Sequence, residues 1–597
     1  MEEKTLSRMF LNRIAEGGDA VRYHVPEDGG YRTVTFREAG EAACEICLGL
    51  MAAGLSRGDR VAILSNTRME WCLADIAAIL GGFIPVPIYP SNLPDQVEYI
   101  LVHSGASVVF VEDEPQYNKV EWCGRRLPSL SSIVLMDGNV AGKDKVVTLE
   151  DLRRLGNEYG AANPGAVDKR VDEIGPEDDL TIIYTSGTTG PPKGVLTSHK
   201  NYVTDVTATL QVIDIPRGSK FLQFLPLAHS FGRIEHFLTW DVMAETAFAR
   251  GLQTVAEDLA VVQPEIMVSV PRLYEKIYAR VLAKVEEDGG LKKVIFYWAL
   301  KVGRDVSRHK QRGEAIPDFL AFKNRIADRL VFCKIRELMG GRLRFFVSGG
   351  APLVREIAEF LHALGVLVIE GYGLTETATI AACNRQDKYK FGTVGKALPG
   401  TEIRVASDGE ILIRGDHVFR EYFNDPATTR EAIDSDGWFH TGDIGVLDDE
   451  GYLRITDRKK DIIVTSGGKN IAPQNVESMF KSDPLIGQAF VYGDRRKYLT
   501  ALFTLSPDEI LAWASRNGIH ERDIQTLSKL PQIEKLIQER VDVINEGLAS
   551  FEQVKKFVLL GTEFSRETGE LTPTLKVKRK VVIEKYGALL DALYEKD

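Results

Sequence analysis

Apolar positions fall into two rhythms over the first two hundred residues. Solid runs occur at Val61–Leu64, Pro85–Tyr89, Ser107–Val111 and Leu180–Tyr184. Between them, at 69–80 and around Asp95–His103, apolar residues recur at helical spacing. A further amphipathic stretch carries Ala39, Ala42, Ala43, Ile46 and Leu50 on one face. It is opened by Thr35-Phe-Arg-Glu38, in which side chains at both ends can bond the other's backbone N–H, a capping box. Solid runs read as strands covered on both faces, and alternation with helices predicts a mostly parallel sheet wrapped by helices. From about Tyr274 to Gly340 long helical segments rich in Lys, Arg and Glu take over; Gly340-Gly341 ends them, and Leu343–Ser348 returns to strand. After Asp457 the charged run Arg458-Lys459-Lys460-Asp461 precedes a smaller α+β unit. The expected layout is a large α/β domain over 1–457 with a helical insertion at about 275–341. A hinge at 458–461 and a small mobile domain over 462–597 complete it.

Composition narrows the class. Of 597 residues, 44% are hydrophobic and 27% charged, an ordinary globular balance. The net charge of −11 gives no footing for a phosphate backbone, so no nucleic-acid partner is expected. Six cysteines are too few for a disulfide scaffold. Cys44 and Cys47 form a C-x-x-C, but no second pair follows at zinc-site spacing, so they read as helix packing. The start lacks an apolar h-region, and Ile76–Ile84 is too short to span a bilayer. The expectation is a cytoplasmic protein with no transmembrane segment; a peripheral contact at the inner face of the membrane stays open.

Chemistry concentrates in a few loops. Tyr184-Thr-Ser-Gly-Thr-Thr-Gly-Pro-Pro-Lys193-Gly194 follows a buried run. Its glycines permit close backbone approach to a ligand, and its hydroxyls and lysine supply donors suited to a polyphosphate. It is not a P-loop, because Lys193 is followed by Gly194 rather than Ser or Thr. Glu370-Gly-Tyr372-Gly-Leu-Thr-Glu376-Thr377 sets two glycines around an aromatic ring and lacks the third glycine of a dinucleotide fingerprint. Ser348-Gly349-Gly350-Ala351-Pro352 is a strand end and sharp turn. Trp438–Asp443, Ser466-Gly467-Gly468-Lys469 and Gly569–Lys576 complete the set. Each has a plainer reading: core packing for Tyr372, tight turns at 348–352 and 466–469, a solvated basic helix start for Lys576, Lys578, Arg579 and Lys580.

In this order the segments resemble the adenylate-forming acyl/aryl-CoA synthetases, the superfamily that includes luciferase and nonribosomal peptide adenylation domains. The resemblance runs from about Thr35 to Lys580. It implies that ATP or AMP is held by Thr185, Ser186, Gly187, Thr188, Thr189, Gly190 and Lys193, by Gly350 and Ala351, by Gly371, Tyr372, Gly373 and Thr375, and by Asp443 and Arg458. It gives the Tyr372 face to adenine, Asp443 to the ribose hydroxyls, and Glu376 with Thr185 to Mg²⁺. It makes Lys576 the catalytic lysine, with Thr185, Glu376 and His229 beside it, and Lys460 the pivot. Gly467, Gly468 and Lys469 would border CoA. His229, Phe231 and Gly349 would line the acyl pocket. Elementary electrostatics agrees on Lys576: a carboxylate approaching a phosphate at about 4 Å is repelled by roughly 4 kcal/mol at intermediate dielectric, and a mobile cation removes that barrier.

Within the superfamily, Leu225–Arg233, Val270–Lys276, the helical insertion and Leu571–Lys576 resemble the long-chain acyl-CoA synthetases. The resemblance implies activation of a fatty acid with Mg-ATP to acyl-AMP and pyrophosphate, then transfer to CoA. The alternatives are a ligase that loads an acyl carrier protein, a CoA ligase for a shorter or aromatic acid, and a non-catalytic nucleotide or lipid sensor. Two departures, Glu421 in Phe419-Arg420-Glu421-Tyr422 and Pro191, are expected to stay clear of the chemistry. Gly232 is expected to shape the acyl tunnel.

Overall fold

The computed structural model describes residues 3–138, 143, 145–185, 191–466, 469–566, 568–572 and 576–595. Two parallel sheets organise the large part of the chain. One has five strands in the order Ile84–Ile88, Arg60–Leu64, Val108–Val111, Ser132–Leu135 and Val146–Thr148, all parallel. The other has nine. Its centre runs Leu367–Tyr372, Phe345–Ser348, Ile266–Ser269, Lys220–Gln223, Glu245–Phe248, Val21–Glu27, all parallel. Antiparallel strands close both edges. The solid apolar runs are strands because both faces of each sheet are covered. Helices Phe36–Ala52 and Met69–Leu80 lie between them, and Trp71, Cys72, Ile76 and Ile79 are fully buried. The capping box is formed: the Thr35 hydroxyl accepts from Glu38 N at 3.1 Å, and Glu38 Oε2 accepts from Thr35 N at 2.8 Å. Cys47 is buried in that helix, in keeping with packing.

The run Leu180–Tyr184 joins neither parallel sheet. Strand Asp179–Thr185 pairs antiparallel with Lys193–Ser198, and Glu421–Tyr422 adds a third strand. The physical reason is loop length: a parallel return needs a crossover of about a dozen residues, whereas residues 186–192 suffice only for a hairpin. The Thr181 hydroxyl fastens this hairpin to the five-stranded sheet through Pro85 O at 2.7 Å.

The helical insertion begins at Pro271, at the first turn of Pro271–Asp288, slightly earlier than expected. Gly290–Gln311, Asp318–Ala327, a π turn at Asp328–Phe332 and Cys333–Leu338 follow. Their inner face, with Phe296, Leu300 and Phe332, packs on Phe346 and Val368 of the nine-stranded sheet. A four-stranded antiparallel sheet, Glu402–Val405, Glu410–Arg414, Phe439–Leu447 and Leu453–Arg458, leads to the last unit. There Ile486–Tyr492, Leu499–Leu505 and Val554–Leu560 form a sheet backed by Pro473–Lys481 and Pro531–Asn545, with its own core around Phe480, Phe503 and Ile537. Among the described residues, no helix is long and apolar enough to cross a membrane.

Candidate active site

Most of the candidate residues sit where strands end. The register of the hairpin places Thr185 opposite Lys193. Ser186, Gly187, Thr188, Thr189 and Gly190 lie outside the described residues. The Lys193 ammonium lies 5.1 Å from the centre of the Tyr422 ring. That ring belongs to the strand paired with Lys193–Ser198, so strand pairing sets this approach.

Strand Leu367–Tyr372 runs into Gly373, where a Cβ would lie 1.7 Å from Thr379 O. Only glycine allows that crossing of chains. The single turn Thr375–Thr377 follows, tied by Phe419 N to Glu376 O at 2.7 Å. Thr379, β-branched, has φ of 139°, a costly backbone state. It is held by its hydroxyl on Ser230 O at 3.2 Å and by the neighbouring Ile380 N on Asp205 Oδ2 at 3.0 Å. Glu376 Oε1 accepts from the Tyr422 hydroxyl at 2.9 Å. Burial raises the Glu376 carboxyl above its usual range, while the Tyr422 hydrogen bond and Arg458 pull it back.

Asp443 anchors a second cluster. Its Oδ2 accepts from the Tyr372 hydroxyl at 2.8 Å and its Oδ1 meets Arg458 Nε at 3.0 Å. Asp443 and Arg458 are cross-strand partners, so sheet register itself makes the pair. Asp443 beside the guanidinium raises the Arg458 pKa. Burial, then Asp443, drives the Tyr372 phenol well above its usual value, so it stays a neutral donor.

His229 caps helix Ser230–Asp241, its Nδ1 accepting from Phe231 N at 3.1 Å. That bond leaves the proton on Nε2. Burial, then the nearby Lys576 ammonium, depresses the imidazole to about 3, so it is neutral at physiological pH. A Cβ at Gly349 would lie 2.8 Å from the Phe231 ring, so these two are in contact. Gly350 has φ of 79°, which its missing side chain permits, and Ala351 is exposed beside it. Helix Ser230–Asp241 is pinned by a fully buried pair, Arg233 with Asp75 of helix Met69–Leu80, which Thr181 joins. A Cβ at Gly232 would stand 2.5 Å from Pro226 O, so the tight turn before the helix requires glycine there.

Lys576 comes from the last unit. Its backbone is clasped to Thr572, Lys576 N to the Thr572 hydroxyl at 3.0 Å and Thr572 N to Lys576 O at 2.8 Å. The side chain keeps solvent contact yet is ringed by protein, as in a wet cleft. Desolvation first, then Arg458, lowers its pKa to about 8, against the pull of Asp443 and Glu376. Tyr372, Glu376, Asp443, Arg458, His229 and Lys576 thus form one electrostatic neighbourhood.

Lys460 is exposed within a turn closed by Asp461 N on Arg458 O at 2.9 Å. Lys459 beside it binds Asp408 Oδ2 at 2.7 Å and Glu410 Oε2 at 2.9 Å. Gly467 and Gly468 lie outside the described residues; Lys469 closes the loop through Thr465, its ammonium 5.8 Å from the Phe551 ring. Lys469 enters none of the contacts that join the other candidates, among the described residues. Tyr422 is the residue that sequence reasoning passes over. Glu421 is expected to lie clear of the chemistry, and it pairs with Leu196 at a sheet edge; the hydroxyl of its neighbour Tyr422 is on Glu376. Forty-six residues separate the two, and no local signal links them.

The model of the AMP-binding enzyme family matches residues 12–423, and that of the AMP-binding enzyme C-terminal domain matches 460–597. The chain belongs to the AMP-binding enzyme family. This AMP-binding enzyme is 36% identical over 600 residues to the long-chain-fatty-acid–CoA ligase FadD15 of Mycobacterium tuberculosis, covering 100% of this chain and 98% of that one. It is 32% identical to the peroxisomal long chain acyl-CoA synthetase 6 of Arabidopsis thaliana, over 95% of this chain and 82% of the relative. Among solved structures, the adenylation domain of a Mycobacterium chelonae carboxylate reductase superposes with a TM-score of 0.79 at 23% identity, over 99% and 91% of the two chains. A Mycobacterium tuberculosis fatty acyl CoA synthetase gives 0.62 at 23%, over 98% and 99%. At those identities the structural likeness is one of fold.

Proposed function

We propose that the chain is an AMP-forming long-chain fatty acid–CoA ligase. It activates a fatty acid with Mg-ATP to acyl-AMP and pyrophosphate, then passes the acyl group to CoA. Relatives 29–36% identical across nearly the whole chain, among them proteins named long-chain-fatty-acid–CoA ligase and long chain acyl-CoA synthetase, support the substrate class. The observation that carries the mechanism is the convergence of Lys576 from the last unit on Arg458, Asp443 and Glu376 of the large one.

In this reading Tyr372 gives its face to adenine while Asp443 accepts from the ribose hydroxyls, with Arg458 holding that carboxylate in place. Thr185, Lys193 and the loop 186–190 between them take the phosphates. The donor set fits Mg²⁺, which keeps waters and phosphate oxygens and needs only one or two carboxylates. Glu376, with Oε1 on the Tyr422 hydroxyl, and Thr185 would hold it. When bound, the ion neutralises phosphate charge. Neutral His229 offers Nε2–H to the incoming carboxylate, and Phe231 against Gly349 walls the acyl pocket. The carboxylate attacks the α-phosphate, and Lys576 stabilises the charge that builds there as pyrophosphate leaves. The thiol step needs other groups at the same carbon. We assign the exchange to a hinge at 458–461 around Lys460, between a large domain over 1–457 and a small one over 462–597. Gly467, Gly468 and Lys469 then border the CoA channel. Incubation with Mg-ATP, CoA and saturated acids of increasing length tests the reading. Acyl-CoA and AMP should form in equal amounts, best with long chains. Formation only with an acyl carrier protein, or only with short or aromatic acids, would overturn it.

A further inference from the structure

We propose that the outward face of the helical insertion, Gly290–Gln311 with Asp318–Leu338, docks on an anionic lipid surface. Nine of the twenty-two large apolar side chains exposed among the described residues lie within 290–338, less than a tenth of the chain. They are ordered, not scattered. Phe319, Phe322, Ile326 and Leu330 follow steps of three, four and four, which sets them on one stripe. Leu291, Val294 and Trp298 repeat the pattern on the preceding helix. The opposite face of both helices is spent on the protein core, through Phe296, Leu300, Ala327 and Phe332. Phe319 is 69% exposed and Phe322 59% exposed, and the Lys323 ammonium lies 4.2 Å from the centre of the Phe319 ring, so the stripe is a second apolar face, largely uncovered among the described residues and edged by a cation.

Charge selects the occupant. Residues 290–338 hold twelve Lys and Arg against five Asp and Glu, in a chain whose net charge is −11; Lys292 and Lys293 pair with Asp288 and Glu286 of the preceding helix, so the positive surplus centres on the second helical stretch. Lys323, Arg325, Arg329 and Lys334 beside the stripe form no ion pair among the described residues. Arg325 and Arg329 line a shallow recess together with Ile326 and Leu330, guanidinium next to hydrocarbon. An amphipathic helix with an apolar stripe and a basic flank lies at the boundary between headgroups and acyl chains, where aromatic residues such as Tyr297 and Trp298 also concentrate. A second copy of this chain fits less well, because a two-fold contact would press two strongly basic surfaces together. Lipid phosphates answer that charge, and acyl chains cover the stripe.

The test is co-sedimentation of the full chain with vesicles of phosphatidylglycerol mixed into phosphatidylcholine, against phosphatidylcholine alone, at low and high salt. Binding is read without ATP, CoA or acid, so its failure is distinct from failure of the ligase reading. The chain should bind the anionic vesicles and bind neutral vesicles, or any vesicles in high salt, about tenfold or more weakly. Phe319→Glu with Phe322→Glu should lose about tenfold or more of the binding, and Arg325→Ala with Arg329→Ala about as much, on the anionic vesicles only. The arginine pair is exposed and outside the core, so it carries the test should the phenylalanine pair impair folding. Absence of vesicle binding, equal binding to neutral lipid, or binding unaltered in the arginine variant overturns the proposal. A dimer that the phenylalanine variant dissolves, without vesicle binding in the parent, assigns the face to a second copy instead.

Discussion

Replacing Tyr422 by Phe removes one oxygen and leaves the ring that packs on Phe419, with centroids 4.8 Å apart, and underlies Lys193. What is lost is the 2.9 Å hydrogen bond to Glu376 Oε1. A hydrogen bond to a charged group contributes about 1.5–3 kcal/mol, and about 1.4 kcal/mol corresponds to one pKa unit. The Glu376 pKa should therefore rise by about one to two units, from a value that burial has already raised. The metal takes the carboxylate, not the acid, so the form that works is present above the pKa and lost as pH falls through it. Acid-dependent pyrophosphate release, followed across pH, should show its acidic limb displaced upward by about one unit or more in Tyr422→Phe. At alkaline pH the variant should approach the parent, and added Mg²⁺ should restore rate at the acidic end. A loss of the same size at every pH, or an unmoved limb, would refute the link between this hydroxyl and a metal-binding carboxylate.

Lys576→Ala should abolish pyrophosphate release while thioester formation from supplied acyl-adenylate largely persists; in the parent, adenylation should fall as pH rises through about 8, where the ammonium loses its proton. Equal loss of both half-reactions would contradict that role. Asp75→Ala strands the buried Arg233 guanidinium and should cost about 3–5 kcal/mol, read as a lowered urea midpoint. A midpoint within experimental error of the parent would show that the pair does not pin helix Ser230–Asp241. Lys460→Pro restricts φ in the turn at 458–461 and should slow the thioester step far more than single-turnover adenylation. If Lys460→Ala slows it equally, the lysine charge is at work and not rotation of the chain.

The parts that could be read in advance are those whose cause is local. Val61–Leu64 and Val108–Val111 are solid apolar runs because they are buried on both faces, and the capping box at Thr35 is complete within four residues. Gly371-Tyr372-Gly373 stands out as two glycines around an aromatic ring, but that a crossing chain requires glycine at 373 is seen only in the structure. Pairings across long separations leave no such trace. The strand Val21–Glu27 joins Glu245–Phe248 more than two hundred residues later. Arg233 finds Asp75, and Tyr422 finds Glu376, only through the tertiary fold. Leu180–Tyr184 is a buried strand as its run predicts, but its antiparallel partner is not legible, because periodicity reports burial and not pairing. The crowding of Gly232 by Pro226 O is likewise invisible in one dimension.

The central claim is that this cluster joins the carboxylate of a fatty acid to the α-phosphate of ATP. A long-chain acid labelled with heavy oxygen in its carboxylate tests it in a single incubation with ATP, Mg²⁺ and CoA. If acyl-adenylate is the intermediate, one labelled oxygen must appear in AMP as acyl-CoA forms. Acyl-CoA formed with unlabelled AMP, or with ADP and labelled phosphate, would contradict it.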